Sequence, residues 1–209
     1  MKNPNPIFKK NYEKYLLQLR SVNPARWNAV LSIEVDEILK SARIPLLGRH
    51  YTVTPERIVD EQGNCPDYGI CVILLKYLLL CPESIPTKSD WIHSRDFKDT
   101  VQAQNKGLSD FAAQKISARF SGNLDLLKKG LMDLGGQILD GEYPYDLSVY
   151  LPALPRVPLL VLFNDRDEQF AAETFILYES RAHHFLDAEC RVMIDWYLYD
   201  ALKRKRNNR

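Results

Sequence analysis

Apolar residues recur at helical spacing in five stretches of the chain, with polar residues on the opposite face of each stretch. This pattern predicts helices over residues 7–20, 24–42, 108–120 and 124–134, and from residue 188 to near the C-terminus. A sixth stretch, residues 66–81, is apolar on nearly every side. Such a segment predicts a helix that other elements surround.

Shorter segments rich in β-branched and aromatic residues predict strands. Residues 46–53 can pair with residues 57–59 across a turn at Pro55, and further strands are expected at 147–151, 157–163 and 174–178. Helices and strands follow one another in blocks, which favours an α+β fold. The expected order is a helical N-terminal part, a β-hairpin, a buried central helix, an antiparallel sheet of about five strands covered on one side, and a C-terminal helix.

The length of 209 residues predicts a single domain over residues 1–209. We expect a helical N-terminal portion at 1–43, an α+β core at 44–203 and a basic tail at 204–209. The N-terminus lacks the apolar core of a signal peptide, and the apolar run 68–81 is short and contains Lys76. These two features predict a cytoplasmic protein without a membrane span.

Charge and cysteine spacing exclude several classes of function. The net charge of +1 argues against a nucleic-acid binder, and the basic tail is expected to close the last helix. The four cysteines contain no C-x-x-C pair, so we expect neither a metal site nor a disulfide. The chain also lacks a G-x-S-x-G elbow, a P-loop, a G-x-G-x-x-G loop and a zinc-protease helix motif.

Two segments carry candidate chemistry. Residues 91–96 place an indole, an imidazole, a guanidinium and a carboxylate in a segment expected to be irregular, where they can line a ligand pocket or anchor the loop. Asp165, Asp167 and Glu168 directly follow the apolar run 157–163. These carboxylates can bind a hard cation, act as an acid/base pair, orient arginines of a pocket, or simply form a polar turn. The adjacent His183 and His184 are expected to have a structural role.

The chain resembles the prokaryotic family known as domain of unknown function 3786. The most specific match is Leu-Pro-Arg-Val-Pro-Leu at 154–159 running into Asp-x-Asp-Glu-x-Phe at 165–170, and it continues through 176–187. Weaker matches are Gly-Arg-x-Tyr at 48–51, the helix at 74–79, the segment 91–96 and the glycine pair 135–136. The resemblance spans roughly residues 25 to 203.

The resemblance implies a prokaryotic source and, through associated domains in the family, a redox or iron–sulfur protein partner; it implies no reaction. The chain departs from the family pattern at Asn164, where a tryptophan is usual, and at Phe97-Lys98-Asp99, where the family has a glycine-containing turn. Both departures lie beside the candidate pocket.

Three functional hypotheses follow. The first is a binding or accessory protein that recognises an anionic small molecule or cofactor of unknown identity; the second is an enzyme that uses the acidic turn as general base or metal ligand; the third is a protein-interaction module. The cofactor and any catalytic residue are left open, and no metal ligand is assigned. The candidate ligand-binding residues are Arg49, Tyr51, Trp91, His93, Arg95, Arg156, Asp165, Asp167 and Glu168. The first two hypotheses require Trp91, Arg95 and the acidic turn to meet in one pocket.

Overall fold

The computed structural model describes residues 6–87, 90–99 and 108–206, and these residues form six helices and two antiparallel sheets. The predicted α+β class is confirmed. The helices are α1 (Pro6–Leu19), α2 (Ala25–Leu31), α3 (Tyr68–Leu79), α4 (Leu108–Phe120), α5 (Leu124–Met132) and α6 (Ala188–Arg206). The strands are β1 (Glu34–Asp36), β2 (Ser41–Leu46), β3 (Arg49–Val53), β4 (Ile58–Asp60), β5 (Trp91–His93), β6 (Gln137–Ile138), β7 (Leu147–Leu154), β8 (Val157–Asn164) and β9 (Glu173–Glu179).

The smaller sheet has the order β1-β2-β3-β4, and it contains the predicted hairpin between β3 and β4. Thr54 fixes the turn of that hairpin, because its hydroxyl accepts the backbone N–H groups of Glu56 and Arg57. The prediction of one strand over residues 46–53 was wrong at Leu47 and Gly48. Both residues have positive φ angles, 48° and 73°, as a two-residue hairpin turn between β2 and β3 requires.

The second predicted helix is much shorter than expected. It ends at Leu31, where Ser32 adopts a left-handed conformation with φ 57°, and β1 follows directly. The carboxylate of Asp36 accepts the N–H groups of Ile38 and Leu39, so it starts a turn in competition with the helical hydrogen bonds. Ile38, whose apolar side chain continues the helical spacing of the predicted helix, is 94% exposed in that turn. The portion 1–43 is therefore not entirely helical.

The larger sheet has the order β5-β9-β8-β7-β6. Its central strand β8 is buried from Val157 to Phe163, as its continuous apolar run predicts. The expectation of an irregular segment at 91–96 was wrong. Residues 91–93 form edge strand β5, which pairs with β9 so that His93 lies opposite Leu177, and Ser94–Asp96 form a short 3₁₀ turn.

Helix α3 is the predicted buried central helix. The Asp67 carboxylate caps it by accepting the N–H groups of Gly69 and Ile70, and eight of its twelve residues are buried. Lys76 interrupts the apolar surface of the helix, but its side chain extends to the edge of that surface. There its ammonium group lies 3.0 Å from the Asp187 carboxylate. Among the described residues, the helices are all too short or too polar to cross a membrane.

Candidate functional site

A cleft of about 540 Å³ with both polar and apolar walls lies between helix α4, the 3₁₀ turn after β5, and residues 171–176, which include the first residues of β9. The helices and strands determine where the polar side chains of the cleft lie. Asp110, Gln114 and Ser117 lie on one face of α4 because their spacing follows the helical period, and Ser121 follows directly after the helix. His93 comes from the end of strand β5, and Ser94 and Arg95 follow where the chain bends away from the sheet. The other polar lining residues are Glu173, Thr174 and Asp195.

The charged groups of the cleft have both signs. A guanidinium nitrogen of Arg95 lies 3.1 Å from a carboxylate oxygen of Asp110, and both side chains are partly open to solvent. Glu173 is exposed at the start of β9. The Ser117 hydroxyl lies 2.8 Å from that of Thr174 and joins α4 to the sheet. A ligand in this cleft therefore meets a cation and two carboxylates within one binding surface.

Ser94 is the most unusual polar residue of the cleft wall. It is 3% exposed, and among the described residues its hydroxyl has no hydrogen-bond partner. A buried hydroxyl without a partner costs about 1–3 kcal/mol, so such groups are commonly satisfied by a water or a ligand. Its position directly before Arg95 places an unused hydrogen-bonding group beside the cleft's cation.

Asp195 of helix α6 closes the cleft from behind and is 1% exposed. The Tyr178 hydroxyl lies 2.5 Å from an Asp195 carboxyl oxygen and 2.8 Å from the Arg191 carbonyl oxygen. One hydroxyl hydrogen cannot serve two acceptors, but a protonated Asp195 can donate to Tyr178 while Tyr178 donates to the carbonyl. Burial also raises the pKa of Asp195 well above its usual range, against the opposing effects of Tyr178 and Arg191. Burial and this arrangement of acceptors both favour the protonated form of Asp195.

Arg191, one helical turn before Asp195, has a side chain with no solvent exposure. Its guanidinium donates to the Leu186 carbonyl at 2.7 Å and to the Asp99 carboxylate at 2.5 Å, and it lies 4.1 Å from the centre of the Phe97 ring. The sequence analysis missed both Arg191 and Asp195. Helical spacing of the apolar residues places Val192, Trp196, Tyr199 and Leu202 on one face of this helix, but Trp196 and Tyr199 are only partly buried. The usable signal was the helical spacing that places Arg191 and Asp195 on one face with Leu198 and Leu202.

The acidic turn lies outside the cleft, and two of its carboxylates accept hydrogen bonds from backbone N–H groups. The Asp165 carboxylate accepts the Gly122 N–H at 2.6 Å, and that of Asp167 accepts the N–H groups of Gln169 and Phe170 at 2.7 Å. These two backbone hydrogen bonds lower the pKa of Asp167. Glu168 is exposed. Within the part of the chain that the structure describes, no group of three or more His, Cys, Asp or Glu side chains is arranged to hold a metal ion.

The remaining candidates lie in three other places. Arg49 and Tyr51 line a small pocket beside helix α6, and Arg156 donates through its Nε to the Val30 carbonyl at 2.8 Å. Trp91 packs edge-on against Tyr150, with ring centres 6.3 Å apart. Of the nine candidates, only His93 and Arg95 line the cleft. The nine residues therefore do not form the one pocket that the first two hypotheses required.

Comparison with known protein families identifies a match. The model of a family described as a domain of unknown function (DUF3786) matches residues 23–201, close to the range over which we noted the resemblance. No curated protein and no solved structure matches the chain. One departure from the family pattern has a structural counterpart, because the segment 97–99 supplies both the ring and the carboxylate that hold Arg191.

Proposed function

The chain belongs to the family described as domain of unknown function (DUF3786). Because this membership defines no activity, we propose a function from the cleft: the protein binds a small polar molecule in it. The volume of about 540 Å³ is in the range of small-molecule sites. The charges of the cleft favour a ligand class different from the anions considered from the sequence. Arg95 and His93 suit an anionic group, whereas Asp110 and Glu173 suit a hydrogen-bond donor or cation.

The ligand class is therefore a mixed-charge molecule of metabolite size, such as a free amino acid. The observation that carries this proposal is the cleft wall at residues 94–95. There a buried hydroxyl without a partner among the described residues stands next to a partly exposed guanidinium. A carboxylate that binds Arg95 and approaches Ser94 would use both groups, and Asp110 would then be available to an ammonium group.

Replacing Arg95 by alanine is expected to weaken binding of such a ligand by about 10- to 100-fold, because a charge-assisted hydrogen bond contributes about 1.5–3 kcal/mol. The measurement is a thermal-shift screen of the proteinogenic amino acids, with succinate and inorganic phosphate as purely anionic comparators, followed by calorimetric titration of each compound that stabilises the protein. Arg57→Ala is the matched control, because Arg57 is exposed at the β3–β4 turn and is absent from the cleft lining.

Three results would contradict the proposal. The first is equal binding by the Arg95→Ala variant and the wild type, and the second is an equal loss in the Arg57→Ala variant. The third is a screen in which only succinate or phosphate binds, which would return the ligand class to simple anions.

Asp195 favours a second candidate function, that of an enzyme. A carboxyl group with a raised pKa in a cleft is typical of general acids, and Asp195 lines the same cleft as Arg95. If the protein transforms its ligand, Asp195→Asn is expected to retain binding and lose turnover. Equal turnover in that variant and the wild type would contradict this role. The acidic turn has no part in this candidate function, because Asp165, Asp167 and Glu168 are absent from the cleft lining.

The compartment and the partners also belong to the proposal. We place the protein in the prokaryotic cytoplasm, a location that its four free cysteines support. A redox or iron–sulfur protein partner is carried over from the family resemblance. The interaction-module hypothesis would use the acidic residues Glu34 and Asp36 as a contact surface, and these residues lie on strand β1.

A further inference from the structure

Two thiols meet at the beginning of the buried helix α3. The Sγ atom of Cys65 lies 3.5 Å from the Pro66 carbonyl oxygen, and the Sγ atom of Cys71 lies 3.8 Å from the same oxygen. The two Sγ atoms therefore share one hydrogen-bond acceptor. Cys65 is exposed, whereas Cys71 has no solvent exposure, so solvent reaches the pair from the Cys65 side.

We propose that Cys65 and Cys71 form a reversible disulfide, with Cys65 as the thiol that meets the oxidant. The reaction partner is a small-molecule disulfide such as oxidised glutathione. The inference is independent of the cleft and of its ligand.

The chemistry proceeds in two exchange steps. The Cys65 thiolate attacks one sulfur of the small disulfide; a new S–S bond forms, the old S–S bond breaks, and one molecule of the small thiol leaves. The Cys71 thiol then loses its proton to water and attacks Cys65 Sγ, which releases the second small thiol. The two protein thiols are oxidised to a disulfide and the small disulfide is reduced to two thiols.

The surroundings of the pair assign different roles to its members. Burial and the neighbouring Cys65 raise the pKa of the Cys71 thiol, so little Cys71 thiolate is present and the second step is the slower one. The backbone between them is fixed, because the Asp67 carboxylate caps the helix and the Cys71 N–H donates to the Asp67 carbonyl. The pair therefore stays together without reorganisation of the helix.

The other two cysteines do not share this arrangement. Cys81 is buried at the far end of α3, where its thiol faces the Pro82 carbonyl, and Cys190 is buried in helix α6. Their burial predicts low reactivity in the folded protein, which makes Cys190→Ala a suitable control.

The test is to incubate the folded full-length protein with oxidised glutathione and to follow its intact mass. The wild type is expected to pass through a transient glutathione adduct and to end with the loss of two hydrogen atoms. Chymotrypsin cleavage after Tyr68 then yields two peptides joined by the Cys65–Cys71 bond, and dithiothreitol restores the reduced mass. Cys190→Ala is expected to behave as the wild type.

Two variants separate the steps. Cys71→Ala is expected to stop at a stable glutathione adduct on Cys65, and Cys65→Ser is expected to form neither the adduct nor the bond. The proposal is overturned if the wild type ends as a stable adduct, if the bond involves Cys81 or Cys190, or if no thiol reacts. Because Cys65 is exposed, the Cys65→Ser result does not depend on a repacked core.

Discussion

Replacing Arg191 by methionine is expected to lower the free energy of unfolding by about 2–4 kcal/mol. The substitution keeps a long side chain in the core but removes the donors to the Leu186 carbonyl and the Asp99 carboxylate, and the contact with the Phe97 ring. The expected loss is smaller than for a fully buried ion pair, because the Asp99 side chain is 42% exposed and water can solvate it after the change. Urea unfolding of both proteins measures the difference.

The matched control for this prediction is Arg95→Met. Arg95 also forms an ion pair, with Asp110, but both partners are partly exposed, and exposed pairs contribute about 0–1 kcal/mol. Similar losses in the two variants would show that burial of the Arg191 guanidinium does not contribute to stability in the way argued here.

Replacing Asp195 by asparagine is expected to stabilise the protein increasingly as the pH rises. Burial raises the pKa of Asp195 in the folded protein, so the folded state holds its proton while the unfolded carboxyl ionises above about pH 4. Between the unfolded and the folded pKa, the wild type therefore loses stability as the pH rises, by at most about 1.4 kcal/mol per pH unit. The variant has no ionisable group at this position, so its free energy of unfolding does not fall with rising pH for this reason.

The electrostatic surroundings of Asp195 support the sign of the effect. Arg191 favours the ionised carboxyl and the charge of Asp110 disfavours it, but desolvation is the largest contribution. Urea unfolding of the variant and the wild type at a series of pH values gives the difference in stability, which is expected to widen above about pH 4. A difference that does not change with pH would show that Asp195 is ionised in the folded protein.

Asp167→Asn provides a control of opposite sign. Backbone hydrogen bonds lower the pKa of Asp167, so its contribution is present above the ordinary carboxyl pKa and is lost as the pH falls through the folded value. The difference between this variant and the wild type is therefore expected to change only in acid and to stay constant near neutral pH.

The amino-acid sequence determined the elements whose signals are local. The helix α3 follows from a long apolar run with a capping aspartate, and strands β7 to β9 follow from short apolar segments separated by turn residues. The family and the α+β class followed from the same segments. The end of α2 could not be predicted from the sequence, because the apolar residues keep their helical spacing through Val35 and Ile38. In the structure, the Asp36 carboxylate starts a turn at this point.

Only the tertiary structure decided which chemical groups lie together. The nine candidate residues were chosen by side-chain type, but their neighbours depend on strand register and helix packing, and only His93 and Arg95 came to line the cleft. Cys65 and Cys71 have a spacing that matches no motif, and it is the backbone before α3 that brings the two thiols to one carbonyl. Arg191 and Asp195 look like surface residues in the sequence, because charge normally keeps a side chain in water. Their burial is possible only because the fold supplies the hydrogen-bond partners that water would otherwise provide. These partners are the Leu186 carbonyl and the Asp99 carboxylate for Arg191, and the Tyr178 hydroxyl for Asp195.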